Sequence, residues 1–175
     1  MIGNMGSFFS AIISYYLLHE SLHIIISLFF DEFHSVKLSL IGPEIIYKSE
    51  IAQRMDLKWG IISGMSNFVT IITGYILLVF GKKIIEMKWS FIKKYFFYLT
   101  IAFLLVDPIN LVLGPFIYGG DALGISQGFG INLILLQVFF FIVLMINREF
   151  IIRILFPVFH TKTRHFFFQP LQKKR

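Results

Sequence analysis

Apolar residues fall along this chain in four long runs, at roughly residues 7–30, 59–80, 95–116 and 127–147. Each run is close to the ~20 apolar residues that cross the core of a bilayer. Together they make up about half of the chain and predict an all-α polytopic membrane protein. Span 1 reads SFFSAIISYYLLHESLHIIISLFF and is closed by Asp31-Glu32. It is expected to stay in the mature protein, because Met1 to Gly6 holds no Lys or Arg, the run is too long for a signal-peptide core and no small-residue cleavage site follows.

Between spans 1 and 2, SVKLSLIGPEIIYK places β-branched and apolar residues on both sides of Gly42-Pro43, which predicts a short β-hairpin punctuated there. Span 2 carries Gly64, Ser66, Asn67, Thr70 and Gly74 at near-helical spacing, a face that lets another helix approach closely. Five lysines, Lys82, Lys83, Lys88, Lys93 and Lys94, fill the next loop. Span 3 runs into Asp107-Pro108-Ile109-Asn110, where proline removes a backbone hydrogen bond and predicts a broken helix beside a protein-lined or wet cavity. A glycine-rich turn, Tyr118-Gly119-Gly120-Asp121, leads to span 4, whose polar interior residues are Asn132 and Gln137. Residues 148–160 read as an interfacial extension of span 4. The expected organisation is one membrane domain over residues 1–158 and a basic tail over 159–175, with no internal repeat.

Composition supports the bilayer as solvent: 57% of the 175 residues are hydrophobic and 22 are Phe, and the mean hydropathy is +0.77. The net charge of +6 lies in loops and tail beside the spans. Attraction to anionic lipid headgroups accounts for it, and nucleic acid is not an expected partner. Twelve of the 16 Lys and Arg fall on the side of the amino terminus, the 82–94 loop and the tail, so the positive-inside rule makes that side cytoplasmic in a multi-pass cell-membrane protein. The chain has no cysteine, so any metal must rest on histidine and carboxylate ligands.

That restriction directs attention to His19-Glu20-Ser21-Leu22-His23 within span 1. Two histidines four apart on a helix share a face and can bind one metal ion, with Glu20 placed to act on its water. Zinc lowers the pKa of a bound water toward about 7, and a glutamate beside it can carry the proton to a leaving amine. Ionisable residues inside an apolar span cost at least about 2.5 kcal/mol for an acid at mid-helix, which makes them functional by default. A catalytic zinc needs a third protein ligand. At about 1.5 Å per residue, His23 sits roughly 10 Å from the loop-31 end of span 1, toward the side on which Asp121 emerges. Asp121 is favoured on that geometry, and Asp107 is the alternative. Asn67 and Asn110 are candidates either for hydrogen-bonding a substrate or for joining helices. His34, His160 and His165 read as loop and tail residues, and Phe166 to Phe168 as an anchor at the membrane interface.

These features, taken in order, resemble the site-2 protease family of intramembrane zinc metalloproteases. HESLH lies in the first span, a strand-like segment follows, and SGMSNFVTIITG is similar to the family's Gly-Pro-x-x-Asn stretch, with Met65 where proline is usual. DPINLVLGPFIYGGD is similar to its Asn-Pro and Asp-Gly motif, with Asn110, Pro115 and Asp121 as equivalents and Ala122 in place of the glycine. The resemblance implies hydrolysis of a peptide bond in a transmembrane or membrane-proximal protein substrate, with zinc on His19, His23 and Asp121 and Glu20 as general base. It also implies the opposite orientation, with the 31–58 loop cytoplasmic. A non-catalytic metal-binding or regulatory membrane protein of the same fold is the alternative expectation.

Overall fold

The computed structural model describes residues 2–39, 42–50, 53–117 and 120–171. In chain order it forms α1 (Ile2–Phe29), β1 (Phe33–Ser39), β2 (Gly42–Tyr47), α2 (Leu57–Val79), α3 (Gly81–Ile85), α4 (Ser90–Ile117), α5 (Gly120–Phe129) and α6 (Leu133–Phe150). A π-helical turn (Ile151–Leu155) and α7 (Phe156–Val158) prolong α6. Four helical segments, Met5–Phe29, Leu57–Val79, Ser90–Ile117 and Leu133–Val158, are long and apolar enough to cross a membrane. Their outward faces stay apolar: Ile13, Leu17 and Ile25 of α1 and Leu135, Phe139 and Ile142 of α6 are exposed. A helix at the surface of a water-soluble protein carries a polar outer face instead.

The central element is α4, which touches α1, α2, α5 and α6. Ala11 and Tyr15 of α1 meet Leu99, Ala102 and Phe103 of α4. On another side of α4, Leu104 and Leu105 meet Leu78 of α2, Leu144 of α6 and the Ile151 to Phe156 extension. A third apolar group joins Leu111 of α4 to Ala122 and Ile125 of α5 and Leu136 of α6.

The predicted break in span 3 does not occur, for α4 runs through both Pro108 and Pro115. Pro108 has no amide hydrogen to give the carbonyl of Leu104. The side-chain amide of Asn147 donates to that carbonyl instead, at 2.7 Å, and Asn147 Oδ1 accepts the Tyr75 hydroxyl. Close to Pro115, Gln137 donates to the carbonyl of Val112 at 2.8 Å. The neighbouring α6 thus supplies the donor that Pro108 removes and a further one beside Pro115, and the helix persists.

The fourth span is shifted from the expected 127–147 to 133–158. Residues 120–129 form the separate helix α5, which ends at Gly130 with φ +64, a conformation that glycine adopts at no steric cost. Asn132 is a cap and not an interior polar residue: its side chain accepts from the amides of Ile134 and Leu135. The hairpin forms, with Val36 opposite Ile45 and Lys37 opposite Glu44. Gly42 and Pro43 begin β2 rather than punctuating the hairpin, and residues 40–41 lie outside the described residues. The tail through Leu171 folds back on α6. Arg148, buried in α6, donates to the carbonyls of Phe167 and Gln169. Phe167 and Phe168 pack on the core around α4, which leaves only Phe166 of that run exposed.

Replacing Asn147 by Leu orphans the carbonyl of Leu104 and the hydroxyl of Tyr75 together, at about 1–3 kcal/mol for each buried group. Denaturation of the detergent-solubilised protein should show that loss, and Pro108→Ala in the same background should recover part of it by restoring the backbone donor. Strictly additive losses in the double variant would contradict the compensation.

Candidate metal centre

One seam of α1, repeating every fourth residue, is buried: Ser7, Ala11, Tyr15, His19, His23 and Ser27 are each no more than 5% exposed. The helical period alone aligns them. His19 and His23 therefore face α2 and α4 from adjacent turns, and their Nε2 atoms stand 3.1 Å apart.

Asp121 reaches them from α5. That helix lies backbone to backbone against α2, since a Cβ added to Gly128 would fall 2.0 Å from Gly60 N and one added to Gly124 would fall 2.0 Å from Ser63 Oγ. Such proximity brings the first turn of α5 over α1. Asp121 Oδ2 is 3.4 Å from His19 Nε2 and Oδ1 is 3.3 Å from His23 Nε2. Donors bound tetrahedrally at 2.0–2.1 Å stand roughly 3.3 Å apart; the two approaches of Asp121 use different carboxylate oxygens, and with one donor atom from each residue all three lie within 4.8 Å of one another, a grouping compact enough for one ion. His19, His23 and Asp121 form the group among the described residues that could hold a metal. Two imidazoles and a carboxylate suit zinc and also other divalent first-row metals.

The surrounding groups fix how these ligands are presented. His23 Nδ1 lies 2.9 Å from the carbonyl of Ile62. A carbonyl only accepts, so Nδ1 carries the proton and the Nε2 lone pair faces the other ligands. Ser66 Oγ is 2.8 Å from that same Nε2. Asn67 donates to Asp121 Oδ2 at 3.0 Å and to the carbonyl of Ser63 at 2.8 Å. The structure thus places Asn67 behind Asp121, and it is not among the described residues that line the cavity. Asp107 is fully buried beside His19, on the Nδ1 side of the ring and away from the gathered Nε2 atoms, with 3.1 Å between His19 Nδ1 and Asp107 Oδ1. The approach is of ion-pair length but is not aligned as a hydrogen bond, and Nδ1 makes none.

Glu20, next to His19, lines a polar cavity of about 350 Å³ with both histidines, Asp121 and Asn110. β2 forms part of its wall through Glu44, Ile45 and Tyr47. The Arg54 guanidinium lies 4.8 Å from the ring centre of Tyr47 and 4.7 Å from that of Trp59. Burial, and then the charges of Asp121 and Glu20, push the Tyr47 hydroxyl above the usual phenol range, so it remains a donor. His19, Glu20 and Asn110 also line a second, less polar cavity of about 290 Å³ between α1 and α4. His34, His160 and His165 are exposed and line neither.

Sequence reasoning did not anticipate several of these positions. Tyr15, four residues before His19, could have been read from the period of α1. The approach of Ser66 to His23 and the stacking of Arg54 had no local signal. No protein-family model, curated protein or solved structure matches this chain.

The cavity wall is tethered through Glu32. Its carboxylate accepts from the amide and hydroxyl of Ser49, just after β2, and from Lys58 at the start of α2 at 2.7 Å. Burial opposes the charge, but the Lys58 ammonium and the Ser49 donors outweigh it and hold the carboxyl below the usual glutamate range. A depressed folded pKa gives stability that is full above the unfolded value of about 4.3 and is lost as pH falls through the folded one. The protection factor of the Ser49 amide, its hydrogen exchange corrected for the intrinsic pH dependence of the rate, should therefore be high and level above about pH 5 and should fall below about pH 4. Glu32→Gln should exchange faster at neutral pH and lose that dependence.

Proposed function

We propose that this protein is an integral, multi-pass membrane protein that acts as an intramembrane zinc metalloprotease, most simply at the cell membrane. The observation that carries this reading is the His19, His23 and Asp121 trio. Two histidines buried in a span and an aspartate from the neighbouring helix α5 bring their donor atoms together within reach of one ion, and Glu20 stands in the adjoining cavity wall. The order of motifs that resembles the site-2 protease family supports the same reading.

Zinc, when bound, supplies a Lewis acid that polarises the scissile carbonyl and acidifies a water. The residues of the chain do the rest. His23, protonated at Nδ1 by its bond to Ile62, and His19 offer Nε2 lone pairs, while Asn67 holds the Asp121 carboxylate toward them. Glu20 takes the proton from the attacking water and returns it to the leaving amine. The polar cavity under β2 admits water to a depth at which the surrounding helices exclude it. Asn110, shared by both cavities, is placed to hydrogen-bond the backbone of a membrane-embedded or membrane-proximal peptide.

A non-catalytic metal-binding or regulatory protein would use the same trio, and Glu20 separates the two readings. Purified protein should hold about one zinc per chain. Glu20→Gln should keep the metal while cleavage of a reconstituted transmembrane substrate falls at least about 100-fold. Metal bound with no Glu20-dependent cleavage would favour the non-catalytic reading, and cleavage untouched in Glu20→Gln would defeat the proposal.

A further inference from the structure

We infer that Asp107 is a positioning residue for the metal centre, an outer carboxylate that orients His19 and balances the charge of the ion without binding it. The inference rests on the reading of His19, His23 and Asp121 as metal ligands. Asp107 is 0% exposed and lies inside α4. Its Oδ1 accepts the hydroxyl of Tyr15 from α1, and its Oδ2 accepts the hydroxyl of Thr70 from α2. Among the described residues, no Lys or Arg forms an ion pair with it, and His19 is the one group able to carry positive charge that does. Two hydroxyls offer dipoles but no charge, which is a poor return for an aspartate inside a span.

A metal at the trio supplies what is missing. The neutral imidazole that coordinates through Nε2 must carry its proton at Nδ1, and Nδ1 of His19 faces Asp107 Oδ1 at 3.1 Å. A metal bound at Nε2 would polarise that N–H and favour its donation to the carboxylate. Metal-ligating histidines commonly donate their second nitrogen to a carboxylate or carbonyl. Here His23 has the carbonyl of Ile62, and His19 has Asp107 within 3.1 Å on its Nδ1 side, so each ligand ring has an acceptor behind it. Charge follows the same arithmetic: the buried carboxylate of Asp107 and the half-buried one of Asp121 offset one divalent ion, while both imidazoles stay neutral. Tyr15 and Thr70 keep each carboxylate oxygen in place, and Asp107 cannot turn to the ion without surrendering both bonds.

The test compares full-length wild type with Asp107→Asn, Tyr15→Phe and Asp121→Asn in detergent, measuring zinc affinity against a competing chelator and the absorption of the cobalt-loaded protein. Asp107→Asn should bind about one ion, 10–100-fold more weakly, and Tyr15→Phe should show a smaller loss in the same direction. The cobalt band positions should hold in both and change in Asp121→Asn, which alters a ligand. In ¹⁵N-histidine-labelled, zinc-loaded protein, the Nδ1–H proton of His19 should move upfield in Asp107→Asn, a signal that a purely structural contact would leave unchanged. Wild-type affinity in both Asp107→Asn and Tyr15→Phe overturns the inference while leaving the metal site intact. A cobalt spectrum in Asp107→Asn that changes as it does in Asp121→Asn makes Asp107 a ligand and also overturns it. Should Asp107→Asn fail to fold, unchanged affinity in Tyr15→Phe decides against the inference. Wild type that binds no zinc removes the metalloprotease reading itself, and this inference with it.

Discussion

A polar atom enclosed by apolar helices has to be met by another polar atom of the protein, and this fold is arranged around that demand. On α1 the demand falls on one seam, at Ser7, Tyr15, His19, His23 and Ser27, with Ala11 the apolar exception. The outward side of the same helix is apolar, so α1 is inverted relative to a helix of a soluble protein. Its polar seam cannot turn to the surroundings and is driven against α2 and α4. Asp107 meets Tyr15 and His19 and is held in turn by Thr70, and Ile62 and Ser66 meet His23. The same interactions that hold three helices together also aim the two imidazoles, so stability and site geometry here are one constraint.

The third member of the trio depends on shape instead. Gly60, Gly124 and Gly128 have no side chains, and this permits α5 to lie against the backbone of α2. A methyl group at Gly128 would require a shift away from Gly60, and Asp121 travels with α5. Small residues that elsewhere serve association of membrane helices here set the reach of a carboxylate. Asn67, on the same helix as Gly60, receives the arriving carboxylate.

Features with a local period were legible in the sequence. Four apolar runs, the hairpin between β-branched segments and the pairing of His19 with His23 follow from spacings of twenty, two and four residues. What escaped depends on partners distant in the chain. Pro108 predicts a break when α4 is considered alone, because nothing near it in sequence indicates that Asn147 will supply the missing donor. Asn132 is a local exception: it looks like an interior polar residue until Gly130 is seen to end one helix and leave room for the next to begin. Asp107 and Asp121 could not be ranked by composition, since both are acids close to span 3. Three-dimensional placement separates them: one meets the Nε2 atoms and the other stands behind a ring.

Hydrolysis inside an apolar medium, on the proposed reading, has to bring together two reactants with opposite solvent preferences. The two cavities meet that requirement. The one beneath β2 is lined by Glu44, Tyr47, Arg54 and Gln127, a wall that water wets. The one between α1 and α4 is lined by Val106, Ile109, Leu113 and Ile117, a wall suited to an apolar segment. His19, Glu20 and Asn110 belong to both. A base at that junction can draw its water from one side while a peptide bond is offered from the other, and neither reactant has to cross an environment hostile to it. The position of Glu20 one residue after His19, and not four, has this consequence: it rotates the carboxylate about 100° around the helix from the buried seam, toward the open space where the reactants meet.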